Sequence, residues 1–202
     1  LCEGGVSLGR KASAVIILGI DPGSVVTGYG YVQATRHDRL IEAGCIRPAT
    51  NVSFERRLLE IHDRFEDLVR RRRPDAVAVE AAFHGANIQT LMKMCHARGA
   101  ILTALARARV PFFEYAPREV KKAVVGNGNA SKEQVQFMVE KVLGPVGDDA
   151  PLDVTDAIAV ALCHAHRHGH PGPAEQQKKG SSMADRLIAA GADPAQARRF
   201  AG

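Results

Sequence analysis

Four acidic residues, Asp21, Glu80, Asp153 and Asp156, stand where apolar segments end or begin rather than in solvated charge runs. Placing an ionised carboxylate beside a hydrophobic core is costly unless its charge is compensated. Four of them gathered together would repel one another strongly, and divalent metal is the simplest counter-charge. Oxygen donors with no His or Cys pattern nearby favour Mg2+ or Mn2+ over zinc. A pair of such ions suits phosphodiester hydrolysis, with water as nucleophile and products ending in 5′-phosphate and 3′-hydroxyl. No protein nucleophile is needed, and the Gly-Ser of DPGS (21–24) lacks a convincing base partner. Taken singly, each acid has a plainer reading: Asp153 and Asp156 as helix N-cap and first-turn residues, Asp21 and Glu80 as strand-end residues. The argument rests on the set. Asp148 and Asp149, among Gly and Pro, are the contrast and read as solvated.

The elements that must position these acids follow from periodicity. Residues 15–20 (VIILGI) form an apolar run closed by Asp21, as in a buried strand. Segments 28–33 and 39–46 complete a meander through a polar hairpin around His37 and Asp38. Residues 52–71 switch to helical spacing at Phe54, Leu58, Ile61, Phe65 and Leu68, run into Arg70–Arg73 and stop at Pro74. Arginines suit a helix C-terminus, so the run has a structural use beside any DNA contact. AVAVE (76–80) is a second buried strand closed by an acid. The spacing predicts a helix over 86–108 with Ile88, Leu91, Cys95, Leu102 and Leu105 near its inner face, then a strand over 111–115. Helices over 117–125, 131–143 (Val135, Met138, Val139 and Val142 inward) and 153–166 follow, with a GNGN turn at 126–129.

This order implies an α/β fold: a five-stranded mixed sheet flanked by helices. If the strands ending in Asp21 and Glu80 are parallel neighbours, both carboxylates emerge at the carboxyl edge, where open sheets usually place their sites. Asp153 and Asp156, three apart at a helix start, share one face one turn apart, where helical amides offset negative charge.

Composition narrows the setting. The chain has 202 residues, 46% hydrophobic, with no Trp, so its core rests on aliphatic residues. Lys and Arg number 27 against 22 Asp and Glu, a net charge of +5, which suits a protein that collects a polyanion. Cysteines at 2, 45, 95 and 163 show no CxxC spacing, which argues against a zinc knuckle and fits a reducing, cytoplasmic setting. No apolar run is long enough for a membrane span. Residues 1–14 read as a flexible leader, 15–167 as the catalytic domain, and 168–202 as a polar extension with short helices.

The stretches VIILGIDPGSVVTGYGYV (15–32), AVAVEAAF (76–83), FFEYAPREVKKAVVGNG (112–128), SKEQVQ (131–136) and PLDVTDAIAVALCHAH (151–166) together closely resemble the RuvC family of bacterial Holliday junction endonucleases. The resemblance covers about residues 15–167, with its motifs in the family's order. It implies a ribonuclease H-like fold, a homodimer, two Mg2+ ions per active site with Mn2+ as substitute, and symmetric nicking of two strands of a four-way DNA junction. It also implies RuvA and RuvB as partners. Asp21 then matches the first-strand catalytic Asp, Glu80 the acid closing the fourth strand, and Asp153 and Asp156 the paired carboxylates opening the last helix. Some members carry His at the first of that pair, and this chain keeps Asp.

By the same resemblance Lys121 and Lys132 fall where basic residues engage the scissile-strand phosphates, with Lys122 and Arg118 as further DNA-binding candidates. Phe83 occupies the position of an aromatic placed against bases near the crossover. Helix lysines are commonly just exposed, and Phe83 could equally pack over the next helix. A wedge against an unstacked pair is a known way to distort DNA. Small residues Ala97, Gly99, Ala100 and Ala104 suit a dimer surface on the long helix, although packing on the sheet explains them equally well. His164, His166, His168 and His170 read as a polar frayed terminus. Two rival functions remain: a noncatalytic junction-binding protein, and an actin-like phosphotransferase suggested by D-x-G-S after the first strand. The phosphotransferase needs a second nucleotide-cradling half, and no second comparable Asp-Gly motif follows residue 80.

Overall fold

The computed structural model describes residues 14–23, 25–81, 88–147 and 151–168. Phe83, the Asp148–Asp149 pair, His170, the first thirteen residues and the extension from residue 169 lie outside the described residues.

Three strands open the chain: β1 (Val15–Asp21), β2 (Thr27–Ala34) and β3 (Arg39–Ile46). Helix α1 (Phe54–Arg72), β4 (Ala76–Glu80), α2 (Ile88–Ala108) and β5 (Phe112–Tyr115) follow, then α3 (Pro117–Val125), α4 (Lys132–Leu143) and α5 (Leu152–His168). The sheet order is β3-β2-β1-β4-β5. The first three strands pair antiparallel, whereas β4 runs parallel to β1 and β5 parallel to β4. Each parallel step is made by a helical crossover, as the geometry of parallel strands requires. This is the ribonuclease H-like arrangement that the resemblance implies.

Side chains alternate across the sheet, so each strand serves two cores. Leu18 and Ile20 of β1, with Val77 and Val79 of β4, pack beneath α1 and α2 against Ile61, Phe65, Ile101 and Leu105. Ile17 and Ala78 face the other way, toward Ile158, Leu162 and the helices α3 and α4. Asp21 and Glu80 share the parity of Ile17 and Ala78, so both point to the face covered by α5.

Helix α5 is apolar on nearly all sides because it lies sandwiched, with its residues from Ala157 to Ala165 buried between the sheet and α3 and α4. It approaches the sheet unusually closely because glycines lie under it. A Cβ at Gly28 would overlap the Asp153 carbonyl, and one at Gly19 would overlap the Ala157 carbonyl. Gly28 pairs with Asp21 across β1–β2, so the glycine that admits α5 sits beside the first acid. Gly28→Ala should therefore destabilise the protein by about 1–3 kcal/mol through overpacking against backbone. Gly99→Ala, in a helix and with nothing within 4 Å of the added methyl, should stabilise by about 0.5–1 kcal/mol. Urea denaturation of both variants checks the opposite signs.

Three sequence expectations need correction. Ile88 is 65% exposed and Cys95 is also exposed, while Ala97, Ile101, Ala104 and Leu105 form the buried stripe of α2. At 100° per residue, Ile88 and Cys95 stand roughly 120–140° around the helix from Ile101, so the inner face is narrower than the hydrophobic spacing predicts. Val142 of α4 is likewise 41% exposed, with Val135 and Val139 carrying the contact. The histidine run is not a frayed terminus as far as residue 168, since α5 continues to His168. His164 is buried, its Nδ1 lies 2.8 Å from the Tyr115 hydroxyl, and the same hydroxyl is 3.1 Å from His168 Nε2. Phe113 lies against both rings, with centroids 4.5 and 5.2 Å away. Strand β5 supplies the aromatic partners that keep this end of α5 helical. Burial, with a smaller effect from His168, pushes the His164 imidazole down to about 4, so it is neutral at physiological pH.

Candidate active site

Asp21 closes β1 and Glu80 closes β4, and the register that pairs Ile20 with Val79 sets the two acids side by side at the carboxyl edge. Asp153 lies in the first turn of α5 and Asp156 one turn further on. All four are partly buried. The elements that carry them are rigid: two central strands and the most buried helix of the fold.

The acids interact strongly. Burial is the largest influence on Asp21, followed by the charges of Glu80, Asp156 and Asp153 and a hydrogen bond with Glu80; together they push its carboxyl up to about 8. Glu80 is also raised, first by burial and then by Asp156, while its hydrogen bond with Asp21 and the charges of Lys132 and Lys121 act in the opposite direction. Both carboxyls are therefore held above the ordinary carboxylate range by burial and by the charges of neighbouring acids. Protein cations offset only part of the negative charge. Such a cluster fits hard divalent cations: four acidic residues offering oxygen donors, and mutual repulsion that raises the Asp21 and Glu80 carboxyls.

The donors are not drawn into one tight cage. Among the described residues, the group whose donor atoms all lie within 4.8 Å of one another is His62, Asp63 and Glu66 on the outer face of α1, not the four acids. The α1 trio is a surface feature: Asp63 is 61% exposed and Glu66 faces Arg107 at 3.4 Å.

Basic residues approach from α3 and α4. Lys132 opens α4, whose N-terminus is closed by a reciprocal pair of hydrogen bonds between Ser131 and Gln134. A lysine is unfavourable at the positive end of a helix, and here it is held by Asp156, with Nζ 2.6 Å from Oδ2. That hydrogen bond raises the Lys132 ammonium, with further help from the charges of Asp156, Asp21 and Asp153. Lys121 on α3 is half-buried and close enough to lower Glu80. Arg118 and Lys122 are exposed on α3 and make no contact with the acids. The structure thus brings together Asp21, Glu80, Asp153, Asp156, Lys121 and Lys132. Phe83 lies outside the described residues.

Arg98 is a neighbour that sequence reasoning missed. It lies on α2 with only 11% of its side chain exposed, and donates from Nη1 to the Glu80 carbonyl at 2.6 Å and from Nη2 to Glu114 Oε1 at 2.5 Å. With Asp21, Pro22, Glu80, Ala81, Met94 and Pro117 it lines a cavity of about 170 Å3 beside the acids. A charge adjoining the buried Ala97 was the sole sequence signal. Because one guanidinium ties the end of β4 to β5, Arg98→Ala should lower stability by about 2 kcal/mol, less than a fully buried pair because Glu114 is half exposed. Arg98→Lys should recover only part of this, since lysine lacks the fork that spans both acceptors. Thermal denaturation of the two variants is the check.

Comparison with known proteins adds to this geometry. The family model for "Crossover junction endodeoxyribonuclease RuvC" matches residues 17–164. The RuvC of Chlorobium phaeovibrioides is 46% identical over 151 residues, covering 74% of this chain and 80% of that protein. That of Chloroherpeton thalassium is 38% identical over 178 residues, 86% of this chain and 96% of its own. Thermus thermophilus RuvC, solved in complex with Holliday junction substrate, superposes with a TM-score of 0.71 at 36% identity, covering 75% of this chain and 93% of that one. The yeast mitochondrial Holliday junction resolvase Ydc2, at 11% identity and a TM-score of 0.56, shares the fold.

Proposed function

Because this chain belongs to the RuvC family of crossover junction endodeoxyribonucleases, it is a metal-dependent endonuclease of Holliday junctions, and we propose that Asp21, Glu80, Asp153 and Asp156 form its catalytic and metal-binding centre. The observation that carries this assignment is the convergence of the four carboxylates, Asp21 and Glu80 from adjacent strand ends and Asp153 and Asp156 from the start of α5, close enough for their charges to raise the Asp21 carboxyl. When bound, Mg2+, with Mn2+ as substitute and two ions per site, lowers the pKa of the attacking water and neutralises charge on the scissile phosphate.

The protein's own residues orient the reaction. Asp21 and Glu80 present ligands from fixed strand ends, and Asp153 and Asp156 from a helix start whose amides favour negative charge. Lys132, now on Asp156, exchanges that carboxylate for a phosphate oxygen as DNA arrives, and Lys121 approaches the same phosphate from α3. Water attacks phosphorus, the bond to the 3′-oxygen breaks, and the products carry 5′-phosphate and 3′-hydroxyl ends. Arg118, Lys122 and Phe83 are further DNA contacts in this reading, the two exposed cations through backbone phosphates and the aromatic through bases near the crossover.

Symmetric nicking needs two sites at a fixed separation, so the active form is a homodimer. The outer side of α2 supports this: Ile88 and Met92 are 65% and 55% exposed, Cys95 is exposed, and Gly99 leaves room for close approach. Family membership points to RuvA and RuvB as partners and to a cytoplasmic, DNA-associated setting. Among the described residues no helix is long and apolar enough to cross a membrane.

A synthetic four-way junction incubated with the full chain and Mg2+ should be nicked in two symmetric strands with ligatable ends. A junction bound but left intact in both Mg2+ and Mn2+ would overturn the enzymatic reading in favour of a noncatalytic binding protein. ATP turnover without cleavage would favour the phosphotransferase.

A further inference from the structure

At the sheet pole opposite the four acids, the C-termini of α1 and α2 lie together and end in arginines. Strand β4 separates the two poles by about 15–17 Å. Arg70, Arg73, Arg107 and Arg109, with one acid, Glu66, rim a groove of about 560 Å3, whose apolar lining includes Val110 and Pro111 above the buried Val69 and Pro74. Arginine near a helix C-terminus is ordinary. Two details here are not.

First, Arg73 and Arg109 both adopt the left-handed conformation, with φ 45° and 55°. Each terminates its helix through a backbone amide, Arg73 to the Val69 carbonyl at 2.8 Å and Arg109 to the Ala106 carbonyl at 3.1 Å. Glycine is the usual residue at such positions, and a side chain there costs about 1 kcal/mol. The chain accepts that cost twice at adjacent helix ends.

Second, no carboxylate among the described residues pairs with either side chain. The nearby acids are engaged elsewhere: Asp67 with Arg70 at 2.6 Å, Glu66 with Arg107 at 3.4 Å, and Asp75 with the Ile16 amide at 2.8 Å. The two exposed ion pairs are weak enough to exchange for an incoming carboxylate.

We infer that this groove is a docking site for an acidic peptide segment of another protein, one that also carries an apolar side chain. The arginine rim provides charge complementarity, and the valine and proline lining calls for an apolar group that a DNA backbone does not offer. The pole faces away from the four acids, so peptide and junction can bind together.

The test uses the full chain in EDTA and a fluorescein-labelled, end-blocked Glu-Asp-Leu-Glu-Asp-Leu-Glu-Asp peptide, followed by fluorescence anisotropy. The double variant Arg73→Gly, Arg109→Gly removes both guanidinium groups while supplying the residue that the backbone prefers. Its thermal midpoint should equal or exceed that of the parent, while peptide affinity falls at least about tenfold. Binding by the parent should survive saturation with a four-way junction. The inference is overturned if the peptide does not bind below about 1 mM, an affinity of about −4 kcal/mol. Equal affinity of parent and double variant also overturns it, as does displacement of the peptide by the junction. If the double variant instead loses duplex affinity in the same proportion as peptide affinity, the occupant is DNA and the peptide assignment falls.

Discussion

Asp21→Asn is expected to lower junction cleavage by at least about a thousandfold while leaving junction affinity within about twofold in EDTA. The asymmetry follows from position. Asp21 sits among three other carboxylates at the end of the central strand, so its contribution to holding DNA is small and, if anything, repulsive. In its proposed metal-holding role it is not replaceable by an amide, which offers one neutral oxygen in place of an anion. The same variant should be more stable than the parent without metal near pH 8, because it removes the charge that burial and the neighbouring acids oppose. Single-turnover cleavage, junction binding and thermal denaturation separate these effects. Cleavage within tenfold of the parent would remove Asp21 from the reaction.

The second large effect is on stability against pH. A carboxyl whose folded value lies near 8, against 3.8 for the ordinary group, makes the native protein bind more protons than the unfolded chain between those values. Asp21 by itself then makes the stability of the metal-free protein fall as pH rises from about 4 to about 8, but His164, held at about 4 against 6.5, acts with the opposite sign up to about 6.5, so the net fall lies mainly between about pH 6.5 and 8 and levels off above. Glu80 is displaced in the same direction and adds to the slope. The loss amounts to a few kcal/mol, on the order of 5–10 °C in the thermal midpoint for a domain of this size. Added Mg2+ should recover it near pH 8 and do far less near pH 5, where protons compete for the same oxygens. Midpoints measured across this range in EDTA and in Mg2+ provide the check, with Asp21→Asn flattening the EDTA curve. A parent curve that falls no more than that of Asp21→Asn between about pH 6.5 and 8 would mean that the acids are not mutually destabilising.

The other contacts of the site differed in how far they could be read beforehand. The strand acids were accessible because alternation is strict: Ile17, Gly19 and Asp21 share one face, as do Ala78 and Glu80. Lys132 was placed by family resemblance, whereas its 2.6 Å contact with Asp156 depends on how α4 leans on α5. Arg98 carried no usable signal, since a single arginine in a helix is usually solvated, and only the meeting of α2 with the ends of β4 and β5 shows what it spans. His164 was misjudged for a related reason. Alternating histidines look like a polar tail until β5 brings Phe113 and Tyr115 alongside. On α2, hydrophobicity marked both the buried stripe and the exposed Ile88 and Met92, and composition cannot tell a face turned to the core from one turned outward.

The four acids, the strands and helices that bear them, the order of those elements and the family are determined by sequence, because local periodicity and short motifs encode them. Tertiary structure alone decides that the acids form one site. Asp153 and Asp156 lie more than seventy residues beyond Glu80, and they meet it because α5 settles onto the sheet over Gly19 and Gly28. A glycine in a strand reads locally as a weak point; which backbone fills the space is a property of the packed molecule. The elevated Asp21 carboxyl has the same origin, since burial and like-charge repulsion arise only when segments distant in sequence share one low-dielectric volume.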